Sequence, residues 1–377
     1  MNPTFTISGG GIAGLTTAIA LKRMGIEALV VEAAPEFKPV GAGIVLAANA
    51  MRAYRQLGIY DQLVAAGNPI EQATIYDRKG KVINRLHRNM LRVEAPNLAI
   101  HRAELHRVLL AELDPGQILT GKRSRDVIID ADGHKVIYED GSEIDTRYLI
   151  VAEGINSPIR KKLLPASETR YAGYTCWRGI ADNASLKVPE SSETWGARGR
   201  FGVVPIGHNQ LYWFATKNAP AGSLAMLSWG IGELAENFKD YHEPIPDVIR
   251  ASSHLIHNDL YDLKPIPRFA FGKVLLIGDA AHATTPNMGQ GACMAIEDAV
   301  ILANCLRKNP VVKYAFSDFE ARRVKRTHGI VNQSWRLGRI AQVENALVAG
   351  VRNFIVRNIP EKTYRDQLEK LYNVDLD

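Results

Sequence analysis

The order of apolar and polar residues divides the chain into an α/β beginning, a strand-rich middle and a helical end. Residues 5–8 and 28–31 predict two short buried strands, and the stretch between them, rich in Leu, Ala and Ile, predicts a helix. Three further short strands, separated by Asp-Gly turns at 132–133 and 140–141, are predicted at residues 126–129, 134–138 and 148–151. Strands joined by such turns are typical of a β-meander.

The middle of the chain is strand-like again at residues 171–182, 193–217 and 225–230, which predicts antiparallel sheet. The apolar run at 273–277 is typical of a strand buried on both faces. Helix is predicted for residues 291–306 and for most of 316–357. The second of these segments carries an apolar stripe of Ile340, Val343, Leu347 and Phe354.

These elements predict an α/β fold with a Rossmann-like nucleotide-binding domain that includes a β-meander, a second domain built on a mixed sheet, and C-terminal helices. The first domain is predicted to be discontinuous, since the strand-rich block interrupts it. The predicted boundaries are 1–70, 98–170 and 266–320 for the nucleotide domain, 71–97 and 171–265 for the second domain, and 321–377 for the helices.

The first candidate site is the loop between the first strand and the first helix. Its residues Gly9, Gly11, Ile12, Ala13 and Gly14 form a GxGxxG motif in the spacing of a dinucleotide-binding βαβ unit. The glycines let the backbone approach a pyrophosphate at the N-terminus of the helix. An acid at the end of the second strand is the usual ligand of the ribose hydroxyls, and here this position is held by Glu32, followed by Ala33.

A second stretch repeats this arrangement near the other end of the chain. Asp279 follows the apolar strand at 273–277, and its carboxylate is suited to a polyol hydroxyl. The loop that opens the next helix contains Gly289, Gln290, Gly291 and Ala292, whose backbone amides would face an anion or a polarised ring oxygen. Pro286 would stiffen this loop over a flat ring, and Val45 is a further candidate to face that ring.

Composition narrows the functional class. The 377 residues suffice for two domains, and a net charge of +6 suits an anionic cofactor or substrate. Basic residues are not clustered with aromatics, so no nucleic acid partner is expected. Cys176, Cys293 and Cys305 are far apart, which predicts a reducing compartment and no metal site. With no room for a signal peptide before the first strand and no apolar run of about 18 residues, we expect a cytoplasmic protein.

In this order, the motifs resemble the single-component FAD-dependent aromatic hydroxylases, a group that includes para-hydroxybenzoate, salicylate and urate hydroxylases and zeaxanthin epoxidases. The matching segments are Gly9–Gly14 with Glu32, Gly41–Ile44, Arg102, Glu153-Gly154, Tyr171–Ile180 and Gly278–Gly291. The family has Asp-Gly where this chain has Glu153-Gly154. The stretch Tyr171–Ile180 resembles the urate hydroxylase and zeaxanthin epoxidase branch.

The resemblance implies bound FAD and transient NADPH or NADH. It places Gly11–Ala13 and Glu32 at the ADP part of FAD, Arg102 at the pyrophosphate or ribose side, and Val127 by the adenine. It places Asp279 at the ribityl chain and pyrophosphate end, and Gly289–Ala292 at the flavin ring. Reduced flavin would react with O2 to form a flavin hydroperoxide that hydroxylates an aromatic or conjugated small molecule. The alternatives are a non-phenolic substrate, through alkene epoxidation or antibiotic inactivation, and a flavin-binding protein without hydroxylation activity.

The substrate side is less defined by the sequence. Arg200 is the best candidate for a cation that activates a substrate oxygen, and the alternative is a surface salt bridge. Trp177, Trp213 and Tyr212 are candidates for an aromatic pocket wall, together with Pro286, and core packing is an equal alternative for the three aromatic residues.

The end of the chain is basic, with eight Lys or Arg and three Asp or Glu between 318 and 357. Its apolar stripe would allow weak membrane association, but packing on the FAD domain is favoured. The oligomeric state is expected to be monomer or homodimer.

Overall fold

The computed structural model describes residues 3–38, 41–130 and 133–377. Its strands, in chain order, are β1 (Phe5–Ser8), β2 (Ala28–Val31), β3 (Gly43–Leu46), β4 (Asn68–Ile70), β5 (Gln72–Asp77), β6 (Val82–His87), β7 (Asn97–His101), β8 (Ile118–Leu119), β9 (Ser124–Ile129), β10 (His134–Tyr138), β11 (Glu143–Thr146), β12 (Tyr148–Val151), β13 (Thr169–Asp182), β14 (Ser191–Gly196), β15 (Gly199–Ile206), β16 (Gln210–Asn218), β17 (Ser252–Leu263), β18 (Ala270–Phe271) and β19 (Val274–Leu276).

The helices are α1 (Ile12–Lys22), α2 (Ala48–Gln56), α3 (Tyr60–Ala66), α4 (Arg102–Ala111), α5 (Pro158–Leu163), α6 (Asn183–Leu186), α7 (Leu224–Leu227), α8 (Ile231–Phe238), α9 (Ile245–Arg250), α10 (Asp279–His282), α11 (Gly291–Lys308), α12 (Val312–Ala341), α13 (Ala346–Arg357) and α14 (Glu361–Tyr372). Short 3-10 turns lie at Arg88–Met90, Pro115–Gln117 and Pro286–Met288. Within the described residues, no helix combines the length and apolar character needed to cross a bilayer.

A six-stranded sheet forms the nucleotide-binding half, in the order β18-β19-β12-β1-β2-β8. Its central strands β19, β12, β1 and β2 run parallel. Nearly all of their residues are buried, which explains why their sequences are apolar runs without alternation. Helices α1 and α11 pack on each other beside this sheet, so the two loops that precede these helices are brought close together.

A seven-stranded sheet forms the second half, in the order β17-β13-β16-β15-β14-β5-β6. Its neighbouring strands are antiparallel except for the parallel pair β14 and β5. One face packs on α8 and α9 through a core that includes Trp177, Trp213, Phe201 and Phe238. The opposite face is free to line a site, because successive side chains of a strand point to opposite faces.

The predicted α/β class, with a mixed sheet beside a Rossmann-like sheet, is confirmed, but two local predictions were wrong. The third strand of the meander is β11, not residues 148–151, which form β12 inside the parallel sheet. Tyr148–Val151 is apolar and buried, as a central parallel strand must be. Residues 225–230 do not form a strand, since Ser223 caps α7 there by accepting a hydrogen bond from the backbone N–H of Met226. Asp132 of the predicted turn lies outside the described residues.

The C-terminal helices correct a third expectation. The apolar stripe was expected to pack on the first domain, but Leu347 is 83% exposed, Phe354 is 65% exposed and Ile340 is 49% exposed. Helix α13 turns its other face inward, where Val356 packs against the cluster of Ile83 and Trp195. The stripe is therefore a surface feature.

Candidate active site

A cavity of about 1010 Å³ lies between the carboxyl ends of the six-stranded sheet and one face of the seven-stranded sheet. Ser8, Ala152 and Asp279, which end or follow β1, β12 and β19, line it from the first sheet. Side chains of β13, β16 and β17 line it from the second sheet. Ligands of open α/β sheets bind outside the carboxyl ends of the strands, so this cavity is the candidate active site.

The glycine loop between β1 and α1 forms one end of the cavity. Gly9, Gly11, Ile12 and Ala13 line it, and a Cβ on Gly11 would meet only open space. Gly14 faces the protein instead, where a Cβ would lie 1.9 Å from the carbonyl oxygen of Gly9. Glycine at this position therefore allows close packing of helix and loop, while the amides at the start of α1 remain suited to an anion.

Glu32 follows β2, and the backbone holds its carboxylate in place. Its Oε2 accepts a hydrogen bond from the N–H of Gly10 at 2.6 Å, and its Oε1 accepts one from the N–H of Ala34 at 2.8 Å. Glu32 and Ala33 both line the cavity. A carboxylate has about four acceptor positions, so this one retains capacity for ribose hydroxyls.

Arg102 and Asp279 bring opposite charges to the same cavity. They are the first residues of α4 and α10, and both are exposed to the cavity. Desolvation by the surrounding protein raises the pKa of the Asp279 carboxyl, while His282 and Arg102 lower it by a smaller amount. An arginine here can neutralise a pyrophosphate, and the neighbouring acid can accept hydrogen bonds from a polyol.

A buried cluster of charges behind the cavity holds the start of α10 in position. Asp298 on α11 accepts hydrogen bonds from the N–H of Gly278 at 2.8 Å and from Nε of Arg323 at 2.7 Å. It also forms a 2.7 Å hydrogen bond with Nε2 of His282. Burial raises the pKa of Asp298, but His282 and Arg323 together lower it to about 2. The carboxylate therefore stays charged and fixes the strand end that precedes Asp279.

The second glycine loop, which we define as residues 278–292, contacts the first glycine loop at Gly278. Gly278 adopts a φ of +57°, and a Cβ there would lie 2.7 Å from the Cβ of Ala13. Glycine is therefore needed both for the backbone conformation and for the contact. Gln290 turns its side chain away from the cavity, where its Oε1 accepts a hydrogen bond from Asn49 at 2.9 Å, and only its backbone remains as a candidate contact. The residues of this loop that line the cavity include Pro286, Asn287, Gly289, Gly291 and Ala292.

One predicted position, Val127, has its side chain away from the cavity. Val127 is fully buried inside the meander, paired with Val136, and the nearby residues that face the cavity are Ser124 and Arg125. The Val127 side chain therefore does not line the cavity, and its predicted place by the adenine stays a prediction. In β9, Ser124 pairs with Tyr138 and Val127 pairs with Val136, with a register shift between Ile137 and Tyr138.

Glu153, the position that departs from the family motif, joins three elements at the edge of the cavity. Its carboxylate accepts hydrogen bonds from the hydroxyls of Ser8 on β1, Ser124 on β9 and Ser157 at the start of α5. The extra methylene of Glu relative to Asp lets one carboxylate reach all three serines. These contacts indicate a role in holding the sheet, the meander and α5 together.

Trp177 and Trp213 do not form the predicted aromatic wall of the pocket, because strand alternation turns them to the opposite face of the sheet. Trp177 and Trp213 are fully buried in the core on the far face of the sheet, where Trp177 stacks on Trp229 and Trp213 stacks on Phe201. Their neighbours in the chain therefore face the cavity. Tyr212, the third candidate, does line the cavity, and burial raises its pKa well above the ordinary value, so its phenol stays protonated.

Arg178 is the cation of this wall. The strand register sets it between Phe214 on β16 and Ile256 on β17, and all three line the cavity. Its Nη1 lies 3.4 Å from Oδ1 of Asn258, and it hydrogen-bonds Tyr212. The contacts of its guanidinium are thus with neutral groups, and its charge is not neutralised by these partners.

Arg200 also lines the cavity, but its positive charge is paired with the carboxylate of Glu193. It is only 4% exposed, so the alternative of a surface salt bridge does not hold. Its Nη1 lies 3.0 Å from Oε1 of Glu193, and its Nε donates to Oε1 of Gln342 at 2.9 Å. Its Nη2 donates to Oδ1 of Asn287 at 2.8 Å. Arg200 therefore joins β15 to the Pro286 loop and to the end of α12.

Comparison with known proteins identifies the nucleotide. A family model described as an FAD binding domain matches residues 3–213 and 261–309. The aurachin C monooxygenase/isomerase of Stigmatella aurantiaca is 40% identical over 359 residues, which cover 94% of this chain and 94% of that protein. The chain belongs to the FAD-dependent aromatic hydroxylases. The predicted family and the predicted cofactor, FAD, are confirmed.

Two more relatives place the hydroxylase within that family. The 2-heptyl-3-hydroxy-4(1H)-quinolone synthase of Pseudomonas aeruginosa is 33% identical over 376 residues, covering 98% of this chain and 97% of that protein. The crystal structure of Klebsiella pneumoniae HpxO with FAD and uric acid is similar with a TM-score of 0.91 at 28% identity, covering 98% and 96% of the two chains. The hydroxylase is thus an FAD-dependent monooxygenase for aromatic small molecules, and NAD(P)H as co-substrate is typical of its family.

The cavity of the hydroxylase fits this cofactor. Bound FAD supplies the oxidation chemistry, while the protein binds it, orients it and shapes the site around the substrate. The open amides at the start of α1 suit a diphosphate, and the fixed carboxylate of Glu32 suits a ribose. The alternative of a flavin-binding protein without turnover is not supported, because the relatives are named as monooxygenases, hydroxylases and a synthase.

Sequence reasoning missed most of the cavity wall that the seven-stranded sheet forms. Arg178 lay inside a stretch that resembled the family but was not singled out, and Asn258, Phe214 and Ile256 were not considered. A signal was present, because the large Trp177 in a two-sided strand predicts that positions 176 and 178 face the other way. Which face meets the cofactor is decided by the packing of α8 and α9, which single-strand patterns do not show.

Proposed function

We propose that the hydroxylase adds one oxygen atom to a ring carbon of a 4(1H)-quinolone or a closely similar nitrogen heteroaromatic that carries an apolar chain. The name of the Pseudomonas aeruginosa relative describes a product with a hydroxyl group on carbon 3 and a heptyl chain on carbon 2 of such a ring. This relative and the 40% identical monooxygenase/isomerase each match at least 94% of the chain. A urate hydroxylase of Klebsiella pneumoniae matches 86% of it.

The observation that carries this proposal is the row formed by Phe214, Arg178 and Ile256. These three side chains are adjacent across three strands and all line the cavity. One cation between two apolar groups matches a flat ring that has a polar oxygen and an apolar substituent. A purine such as urate presents polar atoms around its whole edge and would leave the two apolar side chains without matching surface.

The chemistry of Arg178 supports oxygen transfer to such a ring. An oxygen that attacks as an electrophile needs an electron-rich carbon. A guanidinium at the ring oxygen favours the ionised form of the substrate, because an opposite charge within about 4–6 Å lowers the pKa of an acid. The negative charge shared by ring oxygen and neighbouring carbon then makes that carbon the better nucleophile. Tyr212 remains protonated beside Arg178 and can donate a second hydrogen bond.

The cofactor-binding roles follow the cavity lining. We assign the diphosphate to the amides at Gly11 and Ala13, a ribose to Glu32, the pyrophosphate side to Arg102 and the ribityl chain to Asp279. The flavin ring would lie at Pro286 and the Gly289–Ala292 loop, with Val45 on its other side. Arg200 becomes a residue that positions this loop.

The organisation of the molecule is part of the same proposal. The FAD domain would consist of residues 1–70, 98–170 and 266–320, the substrate domain of 71–97 and 171–265, and the closing helices of 321–377. These boundaries follow the division between the two large sheets. We expect a monomer or homodimer in the cytoplasm, with NADPH or NADH bound only transiently.

The test is a panel of substrates with the FAD-loaded enzyme. We expect 2-heptyl-4(1H)-quinolone to stimulate NADPH or NADH oxidation and to yield a product heavier by one oxygen atom, with the label from 18O2. Urate and hydroxybenzoates serve as comparison substrates in the same assay. The proposal is overturned if quinolones gain no oxygen while urate or a hydroxybenzoate does.

A further inference from the structure

Helix α13 buries a charged side chain and exposes apolar ones, which is the opposite of an ordinary surface helix. A helix on a soluble protein buries its apolar side and exposes its charges. Here the charged residue in the middle of the helix, Arg352, is buried and only 6% exposed. The apolar residues Leu347, Val348, Val351, Phe354 and Ile355 are between 53% and 83% exposed.

The inward face of α13 is firmly held, so the exposed face is not a consequence of loose packing. The Arg352 guanidinium lies 4.8 Å from the ring centroid of Trp195 and donates to the carbonyl of Ala341 at 2.9 Å. Nε of Arg357 donates to the carbonyl of Val82 at 3.1 Å. Asn345 caps the helix by accepting from the N–H groups of Leu347 and Val348. The helix therefore presents its apolar face in a defined orientation.

The exposed positions form one face. Residues 347, 351 and 354, with 348 and 355 beside them, follow the i, i+4, i+7 spacing of a helix side. Ile340, near the end of α12, adds a further exposed apolar side chain. Contiguous exposed apolar surface of this kind marks an interaction site. We call Ile340 together with these five residues of α13 the apolar face.

The charge around the apolar face indicates its partner. Residues 336–365 include two acidic side chains and six basic ones, of which Arg352 is turned inward and five remain. Arg339, Arg357 and Lys362 are exposed, and Lys81 is exposed next to Val82, which Arg357 contacts. Apolar side chains on one helical face with cations around them are the composition of helices that lie in the plane of an anionic lipid surface.

We propose that the apolar face of α13 docks the hydroxylase on an anionic lipid bilayer, where its apolar substrate is concentrated. The helix is close to the substrate side of the cavity. Gln342, three residues before the cap of α13, accepts hydrogen bonds from Arg200 and Thr216, which both line the cavity. A substrate with an alkyl chain partitions into lipid, so a docked enzyme would meet it at a higher local concentration.

The choice of substrate in this inference rests on the proposed function, but the docking itself can be tested without turnover. FAD-loaded protein is mixed with vesicles of phosphatidylcholine alone, or with phosphatidylglycerol added, and centrifuged. We expect binding to the vesicles that contain phosphatidylglycerol. The variant L347S/V351S/F354S should bind them at least about tenfold less, because one buried Leu or Phe contributes on that scale.

A matched control separates this face from exposed apolar residues in general. Leu224 on α7 is 81% exposed, so L224S should keep the vesicle binding of the unchanged protein. Flavin absorbance and thermal midpoint of the triple variant should equal those of L224S, since every replaced side chain is exposed. With a long-chain quinolone as substrate, the addition of vesicles should change the KM of the unchanged enzyme and the KM of L224S by the same factor. The KM of the triple variant should change by a different factor.

Three results would overturn the proposal. One is the absence of binding to vesicles with phosphatidylglycerol, and another is equal binding by the triple variant. The third is a homodimer by light scattering that the triple variant converts to monomer without any vesicle binding, which would make the face an interface between two copies. If the unchanged protein binds the vesicles but does not oxidise quinolones, only the proposed function is contradicted.

Discussion

Nη1 of Arg200 lies 3.0 Å from Oε1 of Glu193 on the wall of the cavity, so the buried arginine at the predicted substrate position already has a counter-ion. The same guanidinium holds Asn287 in the loop that follows Pro286. Arg178, across the same sheet, has neutral partners. We therefore propose different roles for the two arginines, with Arg200 connecting structural elements and Arg178 available to a substrate.

Removing Arg200 should destabilise the protein more than removing any exposed arginine. Arg200→Gln removes the cation paired with Glu193, which keeps its hydrogen bond from Nε1 of Trp195, and breaks three hydrogen bonds of the guanidinium. We expect this to lower the free energy of unfolding by about 2–3 kcal/mol. Arg198→Gln is the control, because Arg198 is half exposed and its ion pair with Asp240 should contribute less than about 1 kcal/mol. Urea unfolding measures both, and equal effects would contradict the role assigned to Arg200.

Replacing Arg178 should affect turnover and not folding. Arg178→Gln should reduce kcat/KM for a quinolone about 10- to 100-fold, the scale of one charged hydrogen bond, with FAD content unchanged. Arg178→Lys should recover part of the loss, and Arg250→Gln, at an exposed site, should have no effect. Steady-state kinetics across pH 6–9 check this, and an unchanged kcat/KM in Arg178→Gln would show that another group holds the substrate oxygen.

Glu32 is expected to determine the affinity for FAD. Glu32→Ala removes the acceptor assigned to a ribose and should weaken FAD binding about 10- to 100-fold. Glu36→Ala is the nearby control, since Glu36 is exposed and its ion pair among the described residues is with Lys38. Quenching of flavin fluorescence on titration of apoprotein gives both dissociation constants. If they are equal, the carboxylate of Glu32 does not contact the cofactor.

Contact between the two glycine loops predicts a difference between two glycines that both have a positive φ of similar size. Gly278 has a φ of +57° and Gly272 a φ of +68°, but a Cβ on Gly272 would meet only open space. Gly272→Ala should cost about 1 kcal/mol through backbone strain alone. Gly278→Ala should cost about 2 kcal/mol more, since the new methyl group meets Ala13. Thermal unfolding and FAD retention measure the difference, and similar losses would place the loops further apart than described.

Acid should unfold the protein through Asp298. Its folded pKa of about 2 is below the ordinary value of 3.8, so the stabilisation is complete above about pH 4 and is lost as the pH falls from there to about 2. Asp298→Asn should therefore be less stable at pH 7 and show a shallower loss between pH 4 and 2. Urea unfolding at several pH values tests this, and parallel curves for both proteins would assign acid sensitivity to other carboxylates.

Parts of the site follow local rules and others do not. The GxGxxG loop and Glu32 were found because their spacing is set within one βαβ unit. The third strand of the meander was predicted at residues 148–151, and the strand at 143–146 was missed. Only the pairing of residues 148–151 with β1 and β19 shows that they belong to the parallel sheet. Trp177 and Trp213 were assigned to the pocket because an aromatic residue suits a pocket wall and a core equally well.

The sequence by itself determined the family, the α/β fold and the cofactor, since these depend on glycine and carboxylate positions a few residues apart within βαβ connections. Only the tertiary structure decided which face of β13 and β16 meets the cavity, because helices α8 and α9 cover the other face. It also decided that α13 turns Arg352 inward and its apolar residues outward. A single helix has no inside until another element packs on it, so no reading of its residues alone fixes that orientation.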